Sequence, residues 1–345
     1  MDSGSPPESL KDPRGAVQRL QEKAGVHFGQ LERAAIYTAE QAAAKRAAFT
    51  TAAVANDMSI VVFGSWAREE LTPGSDDDWA LLVNREFAAY DPDVVRTMAV
   101  AQDNLGTDGK KPGSQDVFGI PFDANGLVAH IGLDADTNRN FTRRMLLLLE
   151  SRELAGTIHA ECWQLILDRY LKFGIKNNRP PRFLLNDIVR YWRTICVDFE
   201  GKHKDGGSKD EKWVTRNAKL RTSRKLLFAG GLLPILLCHM HTVETMPSFL
   251  ATWLSAPPKD RLAAAFLHYG AVEEGVRTFE AYDRWLAIMG DETKRAELKS
   301  LTAKTRDDSA LWNDIRAIGE TLQRGLTALL FDTELRPLAP QYAIF

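Results

Sequence analysis

The sequence predicts an α/β (α+β) region, a small mixed β-sheet flanked by helices, followed by an all-helical second domain. Three observations predict it. Two short apolar runs, Ile60 to Phe63 and Trp79 to Val83, are bounded by Gly64-Ser65 and by Pro73-Gly74-Ser75, which are turn signals around strands. Strand-like and helical patterns alternate over residues 58–135. From Thr142 onward nearly every segment spaces its apolar residues as a helix does.

In chain order, residues 1–13 are polar and Pro-rich and are expected to be a flexible terminus without a targeting segment. Residues 14–55, rich in Ala, Gln and charge, predict one or two long helices. Strands follow at 58–63 and 78–83, then a helix near 86–104. Two further strands are expected near 115–121 and 127–133, separated by Phe122-Asp123-Ala124-Asn125-Gly126, a turn with Asn-Gly chemistry. The α/β domain with its N-terminal helices is thus assigned to 14–140, and a helical nucleotide- and acceptor-binding domain to 141–345. Within the latter, 201–212 is a polar loop, and 255–259 and 334–340 are Pro-rich punctuation. The apolar stretch Leu226 to Cys238 is too short for a bilayer and is interrupted by Gly230-Gly231 and Pro234, predicting a buried helix end and restart.

Composition narrows the class of function. The 345 residues are 44% hydrophobic and 26% charged, as in ordinary globular proteins. A net charge of −2 argues against a dominant nucleic-acid surface while leaving room for a local basic channel. Cys162, Cys196 and Cys238 are isolated and read as reduced thiols of a cytoplasmic protein. His239-x-His241 reads as a helix surface feature rather than a metal site.

The chemistry concentrates in residues 58–83, MSIVVFGSWAREELTPGSDDDWALLV. Side chains alternate along a strand, so Asp76 and Asp78 project to the same side. Two carboxylates beside a Gly-Ser turn can hold divalent cations against a nucleoside triphosphate, because magnesium binds through one or two carboxylates plus substrate phosphates. An acidic triplet after a Pro-Gly-Ser turn is by itself more often a solvated turn. Here strand, Gly-Ser, Arg68, Glu70, turn, Asp-x-Asp and strand coincide.

Taken together, GSWAREELTPGSDDDWALL resembles the DNA polymerase β-like nucleotidyltransferase superfamily, and within it the bacterial branch with Gly-Ser-x-x-Arg-x-Glu followed by Ser/Thr-Asp-x-Asp. One departure is Asp77, where an apolar residue or Gln is usual. It opens a shifted register, against which Ser75-Asp76 argues. The resemblance implies the nucleotidyltransferase fold, magnesium or manganese as cofactor, and an NTP substrate, ATP first among them. It also implies transfer of a nucleoside monophosphate to an acceptor hydroxyl with release of pyrophosphate.

The resemblance further implies a third carboxylate beside the Asp-x-Asp strand. If the helix near 86–104 is a crossover, strands 78–83 and 115–121 run parallel and start at one sheet edge. Asp116 is then the first candidate for catalysis and metal binding with Asp76 and Asp78. A hairpin return at 127–133 would bring Asp134 and Asp136 back to that edge, making Asp136 the second; it could equally cap the next helix. Gly64 and Ser65 are expected at the phosphates, helped by the N-terminus of a helix starting near Trp66. Arg68 has two readings, a phosphate ligand or a structural partner of Glu70.

Relatives in the superfamily close a helical domain over the triphosphate, which directs attention to two basic segments. Asn217, Arg221 and Arg224 share one face of an expected helix from Lys212 to Ala229, with Lys212, Arg216 and Lys219 on a neighbouring one. Asn186, Arg190 and Arg193 form the weaker alternative. Tyr191, Trp192 and Trp213 can stack a base, though aromatic core packing is commoner. The acceptor stays open: a small molecule, a protein, or a nucleotide in an antiphage oligonucleotide synthase. No membrane and no obligatory duplex nucleic acid are expected as partners. A catalytically silent nucleotide-binding or toxin–antitoxin module is the reading of another class, and the intact Asp76 and Asp78 argue against it.

Overall fold

The computed structural model describes residues 10–52, 54–106, 117–204 and 212–344. The chain divides into two compact units, Ala34–Gly174 and the helical remainder made of Met1–Arg33 with Ile175–Phe345. Helix α1 (Ala16–Ala24) stops at Gly25, whose φ of 65° is a left-handed C-cap. Helix α2 (Gly29–Ala52) is counted with the α/β unit from Ala34 onward.

That unit contains β1 (Met58–Phe63), β2 (Trp79–Val83), α3 (Pro92–Leu105), β3 (Pro121–Asp123), α4 (Ala124–Ala129), α5 (Asn138–Leu149), β4 (Ser151–Gly156) and α6 (His159–Leu171). The sheet order is β3-β2-β1-β4. Strand β1 pairs antiparallel with β2, from Met58 opposite Val83 to Val62 opposite Trp79. It also pairs antiparallel with β4, where Phe63 faces Ser151. Strand β3 runs parallel to β2, as a crossover through α3 requires. It occupies Pro121–Asp123, however, reaching into the expected turn, while the described residues 117–120 of the expected strand are not in the sheet. Every residue of β1 and β2 is buried, which explains why both read as continuous apolar runs rather than alternating ones. One face packs Ile60, Val62, Trp79 and Leu81 against Ala42 and Phe49 of α2 and Val94 and Ala101 of α3.

Three expectations need correction here. The helix expected near 86 starts at Pro92, because the Asp91 carboxylate accepts the amides of Asp93 and Val94 and proline fits the first helical position. The expected strand at 127–133 does not form. Asp123 accepts the amides of Asn125 and Gly126, so Asn-Gly lies in the first turn of α4 and no hairpin follows. Conversely, residues 151–156, assigned to helix, form β4 and complete the sheet beyond residue 140. Of β4 only Leu154 is fully buried, so the strand lacks the apolar run that betrays β1.

The helical unit adds α7 (Arg182–Lys204), α8 (Trp213–Arg221), α9 (Ser223–Leu237), α10 (Met246–Ser255), α11 (Pro258–His268), α12 (Val272–Gly290), α13 (Glu292–Ser300) and α14 (Ala310–Phe331). Helix α9 corrects another expectation: it continues through Gly230, Gly231 and Pro234. Pro234 has no N–H for the Gly230 carbonyl four residues earlier. Buried Arg261 supplies the donor instead, with Nη1 3.3 Å from that oxygen. A side chain at 230 would come within 2.9 Å of Pro258, so glycine lets α9 and α11 approach. No helix among the described residues is long and apolar enough to cross a membrane.

Candidate functional site

Strand direction assembles the site. Strand β1 ends at Phe63, while β2 and β4, antiparallel to it, and β3, parallel to β2, all begin at that edge. Gly64-Ser65, the Asp76–Asp78 segment and Glu150-Ser151 therefore meet there. The Phe63 amide donates to the Asp78 carbonyl at 2.8 Å, which registers the Gly-Ser turn against the acidic segment. Gly64 has φ 62°, open to glycine at least cost. A Cβ there would lie 3.1 Å from Asp78 Oδ2, so glycine is also what lets the carboxylate close on the turn.

Asp76 is exposed and Asp78 half-buried. Asp77 does something else. Its Oδ1 accepts the indole N–H of Trp66 at 2.8 Å. Burial pushes its carboxyl above the ordinary range, against the lowering effects of the Trp66 bond and Lys45. Asp77 is thus engaged with Trp66, a residue of the buried core.

The segment after Ser65 is not a helix, which removes the expected N-terminal dipole. Residues 64–69 form turns, closed by Arg68 N–H to Gly64 O at 3.0 Å and Glu70 N–H to Ser65 O at 2.8 Å. Glu69 takes a left-handed φ of 58°, and the Leu71 amide is held by Thr38 Oγ1 at 2.9 Å. Arg68 adopts the structural reading and more. Its Nε donates to Glu70 Oε2 at 2.8 Å and its Nη1 to Glu150 Oε2 at 2.5 Å. The three side chains are only 13%, 2% and 7% exposed. Sequence reasoning found Arg68 and Glu70 but missed Glu150, which has no motif around it and stands 82 positions away from Arg68.

Asp116 lies outside the described residues. Its near neighbours run beside β2: the Gly119 amide donates to Trp79 O at 2.7 Å, and Ile120 O accepts from Leu81. Without the expected hairpin, Asp134 and Asp136 lose the route that was to return them to the edge. Asp136 is gripped by fully buried Arg144 through two bonds of 3.1 and 2.6 Å. Among the described residues no three His, Cys, Asp or Glu side chains converge as a metal-binding group. Two carboxylates at a glycine turn nonetheless fit magnesium, which completes its shell from substrate phosphate and water.

In the helical unit, Asn217, Arg221 and Arg224 do not share one continuous helix. The chain breaks at Thr222 (φ −119°, ψ −99°) between α8 and α9. Asn217 is buried and its Oδ1 accepts Arg221 Nε at 2.7 Å, so it orients the arginine. Arg224 and Arg193 of α7 both act electrostatically on the Cys196 thiol, bringing the two basic segments into one cluster. Lys225, which the sequence reading passed over, joins it: burial and then Arg221 push its ammonium pKa down to about 8. Arg193, Arg221, Arg224 and Lys225 make no ion pair among the described residues. The aromatic candidates pack internally, Trp192 on Phe228 and Trp213 against Phe199 and Trp312. His241 is buried and stacked on Phe249, ring centroids 3.9 Å apart, not a surface residue.

Residues 15–117 match the model of the family described as "Putative nucleotidyltransferase DUF294". No curated protein matches the chain.

Proposed function

We propose that this chain, whose residues 15–117 match a nucleotidyltransferase family, is a magnesium-dependent enzyme. It transfers a nucleoside monophosphate from an NTP, ATP foremost, to an acceptor hydroxyl. The acceptor oxygen forms a bond to the α-phosphorus as the bond to pyrophosphate breaks. The observation that carries the proposal is the sheet edge where Gly64 packs within reach of the Asp78 carboxylate. Bound magnesium, or manganese, would supply charge neutralisation of the triphosphate and a lowered acceptor pKa.

The residues have distinct tasks in this reading. Asp76 and Asp78 hold the cation through carboxylate oxygens. Gly64 leaves room for phosphate beside the backbone, and the Ser65 amide and hydroxyl donate to phosphate oxygens. Asp116 would complete the carboxylate set or accept the acceptor's proton. Asn217, Arg221 and Arg224 bind the triphosphate, as charge-assisted donors do.

Incubation with each α-labelled NTP, with and without cell extract, tests the reading. Label in new product from NTP alone identifies nucleotide as acceptor, and label transferred only in extract identifies a separate acceptor. Asp76→Ala and Asp78→Ala are expected to lower transfer about a thousandfold or more, given the several kcal/mol a metal site contributes, with the fold retained by circular dichroism. Wild-type rates in both variants remove the assignment. Loss in Asp77→Ala but not Asp76→Ala shifts the register by one.

A further inference from the structure

The Gly64–Glu70 turn carries two left-handed residues, Gly64 and Glu69, and no helix stabilises it. What crosses it is the Arg68 guanidinium, with Glu70 of the same turn on Nε and Glu150, from the start of β4, on Nη1. Nη1 also lies 4.0 Å from where a Cβ on Gly64 would stand, and Asp78 Oδ2 lies 3.1 Å from the same point. Burying such a trio of charges is a poor source of stability, since desolvation offsets attraction. Its effect is geometric: a planar guanidinium held on two edges cannot rotate.

We propose that Glu150 is a positioning residue for nucleotidyl transfer at the Asp76/Asp78 edge. Together with Glu70 it fixes Arg68 against Gly64, and so sets the spacing between the phosphate-facing turn and the Asp78 carboxylate before substrate arrives. Arg68 is then a strut and not a phosphate ligand. The inference rests on the nucleotidyltransferase reading of this edge, and no sequence motif marks Glu150.

The test uses the full chain and the labelled NTP and condition that support wild-type transfer, with Asp78→Asn, Glu150→Gln, Glu150→Asp and Arg68→Lys side by side. Glu150→Gln should lower kcat about 10- to 100-fold, the usual cost of removing an orienting partner, with KM for the NTP changed less than about threefold. Arg68→Lys should behave the same way, because a point ammonium cannot span both carboxylates. Glu150→Asp, which keeps the charge, should recover part of kcat. It also decides the matter if Glu150→Gln does not fold: a folded Glu150→Asp with wild-type kcat overturns the proposal. So does wild-type kcat in Glu150→Gln while Asp78→Asn is dead, which leaves the enzyme reading intact. A large KM increase with unchanged kcat in Arg68→Lys makes Arg68 a phosphate ligand and likewise overturns it. No transfer by the wild type under any NTP condition, or full activity in Asp78→Asn, removes the parent reading instead.

Discussion

Arg68 and Asp77 at the sheet edge of the α/β unit are held by partners, whereas Arg193, Arg221, Arg224 and Lys225 of α7, α8 and α9 form no ion pair among the described residues. Around Gly64, Arg68 sits between two buried glutamates and Asp77 is bonded to Trp66. In the helical unit, Arg193, Arg221, Arg224 and Lys225 gather without an ion pair among the described residues. A paired cluster defines shape. One without ion pairs, in which Arg221, Arg224 and Lys225 are half-buried and Arg193 is exposed, keeps unspent charge, and its half-buried members carry a cost that an anionic ligand would relieve. On the proposed reading, the first holds catalytic groups at fixed spacing and the second receives phosphate.

The strongest way to break this contrast is at its most rigid point. Gly64→Ala puts a methyl at φ 62° and 3.1 Å from Asp78 Oδ2. The backbone cost alone is about 1–2 kcal/mol, visible as a lowered melting temperature. Displacing Asp78 by even ~1 Å should reduce transfer about a hundredfold. An alanine variant with native stability and rate shows that the close approach is dispensable.

Removing charge from the cluster should have the next largest effect. Arg221→Gln and Arg224→Gln each delete a charge-assisted bond of about 1.5–3 kcal/mol, so NTP affinity measured by titration calorimetry should fall about ten- to a hundredfold. Arg277, 56% exposed and already paired with Glu273 and Glu274, serves as the control. Similar small losses at all three positions reduce α8 and α9 to an ordinary basic surface.

Lys225 sharpens the comparison through pH. Its folded pKa, about 8, lies below the ordinary 10.5, so the unfolded chain binds the proton more tightly. The cost is fully present below pH 8 and is relieved as pH rises from about 8 towards 10.5. Lys225→Met should therefore raise the midpoint of urea unfolding at pH 7 and lose that advantage near pH 10.5. Equal gains at both pH values assign the effect to packing.

The smallest effect is expected at Asp77. Burial raises its folded pKa, which favours the protonated fold; that contribution is lost as pH rises through the ordinary value of 3.8 towards the raised one. Asp77→Asn keeps an acceptor for Trp66 and should be slightly more stable than the wild type at neutral pH. The gain should vanish near pH 3. A loss of stability at pH 7 means the charge itself is wanted, through Lys45.

These contrasts also explain what was legible in the sequence. Local features were: buried β1 and β2 wrote continuous apolar runs, Gly64 and Asp76–Asp78 wrote a motif, and the Ala-, Gln- and charge-rich residues 14–55 wrote helix. Features made by distant partners were not. Strand β4 buries only Leu154 fully, so nothing in Ser151–Gly156 distinguishes it from a turn. Residues 127–133 were expected as a strand because Asn125-Gly126 could as well turn a hairpin as lie in the first turn of α4, which Asp123 caps. Glu150 and Lys225 acquire their significance from Arg68 and Arg221, and a residue's spatial partner is invisible to pattern reading. Thr222 divides a helix whose sequence, KWVTRNAKLRTSRKLLFA, contains no Gly or Pro to announce it.

The order β3-β2-β1-β4 has a consequence for the newly made chain. The central strands, β1 and β2, fall within residues 15–117, but both outer strands come later, and the Ile158 amide that bonds to Ser59 Oγ lies 99 positions downstream. A ribosome that has released only the matched segment has therefore released a two-stranded ribbon with apolar, unpaired edges, a template for aggregation. Synthesis must pass Gly156 before the ribbon is closed on the β1 side. A fragment cut at residue 117 should accordingly be recovered in inclusion bodies, whereas one extended to Gly174 has the strands to protect itself.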